Sequence, residues 1–85
     1  MELKVFTLKT CPNCSQAKKI VREVAEEFNV GFTEIDMETS EGQIEGLMYE
    51  VMSTPSIAVD NDVVSRGSLI SKKELIEEVK KRLGK

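Results

Sequence analysis

The sequence predicts an α/β domain in the order β-α-β-α-β-β-α, a four-stranded mixed sheet flanked by three helices. Three observations lead there. Short apolar runs of strand length alternate with longer segments whose apolar residues recur every three to four positions. The first two strand-like runs are joined by such a segment, so they should lie parallel with a right-handed crossover. The last two are separated only by Asp60-Asn61-Asp62, so they should fold back as an antiparallel hairpin.

Residues 2–8 carry Leu3, Val5, Phe6 and Leu8 and read as a buried strand. Thr10 then precedes Cys11-Pro12. Proline suits the first turn of a helix, where its missing N–H would have no partner anyway. Ala17, Ile20, Val21, Val24, Ala25 and Phe28 follow at i, i+3, i+4, i+7 spacing, the apolar face of an amphipathic helix. Lys18, Lys19, Arg22, Glu23, Glu26 and Glu27 fill its polar side. Asn29 and Gly31 bracket its end, in a window suited to the left-handed turn conformation. Phe32-Thr33-Glu34-Ile35-Asp36 is a second, partly polar strand.

Ser40 can cap a second helix carrying Ile44, Leu47, Met48 and Val51 as its apolar residues. Gly42 and Gly46 weaken that helix by roughly 1 kcal/mol each if they are exposed interior positions. Ser53-Thr54-Pro55-Ser56 breaks the pattern. Ile57-Ala58-Val59 is a strand, and Val63-Val64 starts its hairpin partner. Gly67 is a bend. Ser71-Lys72-Lys73-Glu74 matches a capping box, and Leu75, Ile76, Val79 and Leu83 form the apolar face of the last helix.

The chain has 85 residues, room for one domain over residues 1–85. Its 40% apolar content is ordinary for a globular fold. A net charge of −3 argues against a nucleic-acid partner, which would require a basic excess. Lys80-Lys81-Arg82 is the one dense basic run, and it fits the negative end of a helix dipole. No apolar stretch approaches membrane-spanning length, and the N-terminus reads as a strand rather than a leader. The expectation is a cytoplasmic monomer with no membrane partner.

The chemistry points to Cys11 and Cys14. Two cysteines separated by two residues at a helix start can join with little rearrangement. Cys11, at or just before the first turn, would meet free backbone N–H groups and the positive end of the helix dipole. Such thiols have pKa values of roughly 3.5–7.5, against about 8.5 when free. Cys11 would then attack a substrate disulfide, and Cys14 would resolve the mixed disulfide. Three other readings compete. A structural disulfide would close too short a loop to remove much chain entropy. Zinc normally takes four Cys or His ligands, and this chain has two cysteines and no histidine, so no metal is expected. Two plain core cysteines fit poorly with the flanking Pro12 and Asn13 and with the strand-to-helix break.

Leu8-Lys9-Thr10-Cys11-Pro12-Asn13-Cys14, Ala17 followed by Lys18, and Thr54-Pro55 together resemble the thioredoxin/glutaredoxin superfamily over nearly the whole chain. The likeness is to its short members, the glutaredoxins and small archaeal thioredoxin-like proteins. It implies a minimal thioredoxin fold, with Cys11 as nucleophile and Cys14 as resolving thiol. It also implies a cis bond at Thr54-Pro55, beside the cysteines, with the Thr54 backbone free to pair with an extended substrate. Pro12, Asn13, Thr54, Pro55 and Gly67 are the implied substrate contacts. The implied redox group is the Cys11–Cys14 disulfide itself, with no further cofactor.

Three departures direct the functional expectation. Thr10 stands where thioredoxins carry Trp, and no buried acid is evident among Leu3, Val5 and Leu8. Arg66-Gly67-Ser68-Leu69-Ile70-Ser71 lacks the Gly-Gly-acid run by which glutaredoxins hold glutathione. The expected activity is reduction of protein disulfides, with a thioredoxin-reductase-type electron donor. A glutathione-dependent glutaredoxin is the alternative, and a dimeric iron–sulfur or metal-binding module a further one. Lys9 and Lys18 read as surface charges near the thiols, Glu34 and Asp36 as exposed strand-edge charges, and Met37, Met48 and Met52 as core or rim packing.

Overall fold

The structure is a computed structural model that describes residues 1–9, 11–67 and 69–84. Thr10, Ser68 and Lys85, and the expectations that touch them, lie outside the described residues. Alternation along β1 (Glu2–Thr7) sends Leu3 and Val5 to one face of the sheet and Phe6 to the other. All three are fully buried, which makes β1 an interior strand. The sheet order is β2 (Gly31–Asp36), β1, β3 (Ser56–Val59), β4 (Asp62–Arg66). β2 runs parallel to β1, from Glu2 beside Gly31 to Thr7 beside Asp36. β3 runs antiparallel to β1, and β4 runs antiparallel to β3, the latter as the short connection between them predicts. Asp60 takes φ 55° in the two-residue loop between them, the left-handed geometry a tight hairpin needs.

α1 (Cys14–Phe28) and α3 (Lys72–Arg82) cover one face. Ala17, Val21 and Val24 meet Leu3, Val5, Ile57 and Val59 there, with Leu75 and Val79 from α3. Asn29 ends α1 in the left-handed conformation at φ 55°. The capping box at α3 forms, with Ser71 Oγ accepting from the Glu74 N–H and the Glu74 carboxylate accepting from the Ser71 N–H. Lys80, Lys81 and Arg82 occupy the last turn of α3, where cations offset the helix dipole.

The start of α1 differs from expectation. Pro12 lies in a turn ahead of the helix rather than in its first turn. The Cys11 N–H is already used by the Leu8 carbonyl at 3.1 Å, and the helical ladder begins only when Ala17 N–H reaches Asn13 O at 3.0 Å. Cys14 is therefore the first helical residue.

The second helix differs more. α2 (Ser40–Met48) is capped by Thr39 rather than Ser40, with Thr39 Oγ1 accepting from the Gly42 N–H at 2.9 Å. Its buried residues are Gly42 and Gly46, while Ile44, Leu47 and Met48 face outward. Close approach explains the inversion. A Cβ on Gly42 would strike the Asp36 carbonyl, and one on Gly46 would strike the Met37 side chain. The two glycines, four apart, form the helix face that fits against the chain at Asp36 and Met37. Beyond that helix, Phe6, Ile35, Val51 and Ala58 form the second core cluster, with Met37 and Tyr49 packed on it. Met37 thus packs as expected, whereas Met48 and Met52 are 73% and 89% exposed. On this face Lys4 Nζ donates to the Tyr49 hydroxyl at 2.6 Å, a bond that holds the Lys4 ammonium above its usual range.

Candidate active site

Cys11 and Cys14 are joined as a disulfide, their Cα atoms 5.4 Å apart. The turn through Pro12 and Asn13 sets that separation. Cys14, as first residue of α1, is drawn under the helix and is 4% exposed. Cys11 is partly exposed, and Pro12 and Asn13 are exposed. The positive end of α1 is left largely uncompensated: Asn13 makes no side-chain cap, and the first turn holds no acid.

Sheet register brings the other predicted residues to the same end of the molecule. Phe6 pairs with Ser56, and Ser56 with Arg66. The chain that leaves β1 toward Cys11, the chain that enters β3 from Thr54-Pro55, and the chain that leaves β4 toward Gly67 therefore emerge together. The Thr54-Pro55 bond is cis. Gly67 is tied to it: its N–H donates to Pro55 O at 3.0 Å and approaches Ser56 Oγ at 3.3 Å. Gly67 has φ 73°, and a Cβ there would meet the Ser53 side chain, so both the backbone angle and the space require glycine.

A polar groove of about 470 Å³ opens beside the cysteines, between the start of α1 and the ends of β1 and β2. Lys18 and Glu34 face each other in its wall at 3.5 Å, and Thr7 Oγ1 donates to the same Glu34 oxygen at 3.1 Å. Glu34 and Asp36 do lie on the edge strand β2, but they also line this groove. The parallel register carries the signal for that placement. Glu34 stands beside Val5, on the α1 side of the sheet, so it meets a helix residue one turn after Cys14. Glu38 is a residue the sequence does not single out. Its carboxylate accepts from the Lys9 N–H at 2.7 Å and so ties the cysteine-bearing loop to the β2–α2 connection. Among the described residues, no group of three or more His, Cys, Asp or Glu side chains is arranged to hold a metal ion, and no helix is long and apolar enough to cross a membrane.

Residues 1–80 match the family described as "Thioredoxin domain". A thioredoxin of Methanocaldococcus jannaschii is 32% identical over 83 residues, covering 98% of this chain and 96% of that protein. A probable thioredoxin of Methanothermobacter thermautotrophicus is 33% identical over 82 residues, covering 93% and 92%. Among solved structures, thioredoxin 1 from Thermosipho africanus superposes with a TM-score of 0.78 at 18% identity, covering 99% of this chain and 96% of that one, a likeness of fold.

Proposed function

Because the chain belongs to the thioredoxin family of thiol–disulfide oxidoreductases, we propose that it reduces protein disulfides by dithiol exchange at Cys11 and Cys14. The observation that carries this reading is the asymmetry of the pair: Cys11 is reachable just ahead of an uncapped helix start, and Cys14 is buried as the first residue of that helix. In the reduced protein the Cys11 thiolate attacks one sulfur of a substrate disulfide. The other substrate sulfur leaves as thiolate, and the attacked one remains bonded to Cys11 in a mixed disulfide. Cys14 gives its proton to water or to the departing substrate thiolate and attacks the Cys11 sulfur. The bonded substrate sulfur leaves, and the Cys11–Cys14 bond forms. Two electrons pass from the dithiol to the substrate, and no group beyond the thiols is needed.

Pro12, Asn13, Thr54, Pro55 and Gly67 are the proposed substrate contacts. An extended segment lying along the Thr54 backbone would be held by strand-like pairing, and Gly67 lets it come close. The working setting we propose is a reducing cytoplasm, with the protein acting as a monomer.

In the reduced protein Cys11 should alkylate roughly tenfold faster than Cys14 at neutral pH, since it combines access with a place ahead of an uncapped helix start, where thiolate is favoured over thiol. Mass spectrometry of the partly modified chain reads this, and equal rates would remove the basis for assigning the nucleophile. Electron donors separate the two enzyme readings. Rapid reduction of the oxidised protein by a thioredoxin reductase with NADPH, and slow reduction by glutathione, is the expected result. Efficient turnover with glutathione alone would select the glutaredoxin reading instead.

A further inference from the structure

α2 spends its glycines on packing and turns its large apolar residues to solvent. Ile44 is 59% exposed, Leu47 76%, Met48 73% and Met52 89%. Leu47 also borders an apolar groove of about 280 Å³ with Met37 and Val51. An apolar surface of this kind on a small protein marks a place of association, and methionine-rich ones adapt to more than one partner.

Charge says what kind of partner fits. Between Glu23 and Asp62 the sequence places eleven of its fifteen acidic residues and not one Lys or Arg. Glu41 and Glu45 lie on α2 and Glu50 follows it, and among the described residues none of the three is ion-paired. Arg66 donates to the carbonyls of Tyr49 and Glu50, and Lys4 donates to the Tyr49 hydroxyl with Glu45 as a weaker charge beside it, so among the described residues no cation closes on the three carboxylates. A second copy would bring a like-charged rim, and an anionic membrane would be repelled. A basic surface with an apolar centre is complementary. Met52 stands two residues ahead of Thr54, so the chain runs from this face directly into the cis-proline turn.

We propose that the outer face of α2, together with Met52, docks disulfide-bearing proteins whose cystine is flanked by an apolar side chain and by Lys or Arg. The proposal rests on the dithiol exchange described above and names the substrate class for it. Its test uses the reduced full chain and two cystine peptides identical except for their flanks, one Leu with Lys and Arg, the other Leu with Glu. The expected result is a kcat/KM roughly tenfold higher for the basic peptide at low salt, shrinking as salt screens the rim. Glu41→Gln with Glu45→Gln should bring the ratio toward one. Leu47→Ser with Met48→Ser should lower the rate on the basic peptide to that seen when the peptide's own Leu is replaced by Ser. Equal rates on the two peptides, or a preference that survives both double variants, would overturn the docking proposal while leaving the exchange chemistry standing. A concentration-dependent dimer dissolved by the Leu47 and Met48 changes would overturn it in favour of a second copy. A chain that reduces neither peptide would overturn the exchange reading itself.

Discussion

Cys11→Ser should lower disulfide reduction by more than about a thousandfold, the scale on which losing a covalent nucleophile is felt. The reason is positional. Cys11 is the more exposed of the pair and stands ahead of a helix whose first turn has neither a side-chain cap nor an acid. Serine in its place offers a hydroxyl that does not ionise near neutral pH, so no attack on a substrate sulfur occurs. Cys14→Ser should behave differently. Attack by Cys11 still proceeds, but nothing resolves the mixed disulfide, so turnover stalls with the substrate attached. Folding should be little affected in either variant, since a bond closing so short a loop removes little entropy from the unfolded chain. Steady-state assays of both variants, with circular dichroism to confirm folding, measure the contrast.

The second large effect is on stability, at Gly42. On an exposed helix face, glycine-to-alanine would stabilise by up to about 1 kcal/mol. Here the added methyl group would collide with the Asp36 backbone carbonyl, which has no rotamer to yield. Forced overpacking of this kind costs roughly 1–3 kcal/mol. Gly42→Ala should therefore destabilise the protein, and Gly42→Val more so. For a chain of this size each kcal/mol lowers Tm by roughly 4–8 °C. Gly31→Ala is the control, since its Cβ would find Glu2 Cγ at an ordinary 3.5 Å. Leu47→Ser should change stability by less than about 0.5 kcal/mol, because Leu47 is already exposed. A helix packed through Ile44, Leu47 and Met48 would give the opposite ranking in thermal melts.

That ranking also marks where the sequence could be read and where it could not. Element order, strand direction, the capping box at Ser71 and the left-handed end at Asn29 follow from local rules, and each is found in the structure. The cysteine pair is legible for the same reason, since two residues between thiols at a strand-to-helix break fix their proximity without tertiary information. α2 is not legible that way. Its apolar residues look like a core face, but the space between helix and β2 admits only Gly42 and Gly46, and that space is a property of the assembled fold. The start of α1 misleads for a related reason. Proline tolerates a first helical turn, but the Cys11 N–H is already bonded to Leu8 and holds the chain in a separate turn. Glu34 and Glu38 become part of the site only through register and loop packing, because their partners Thr7, Lys18 and Lys9 are distant in sequence.

Exchange by the proposed route requires that Cys11 attack and Cys14 resolve. That division of roles is tested most directly by incubating the reduced Cys11→Ser and Cys14→Ser chains in parallel with a disulfide-bonded protein and resolving the products on non-reducing gels with mass spectrometry. A stable mixed disulfide should form on Cys11 in the Cys14→Ser chain and none in the Cys11→Ser chain. An adduct that accumulates on Cys14 in the Cys11→Ser chain, with none on Cys11 in its counterpart, would contradict that division.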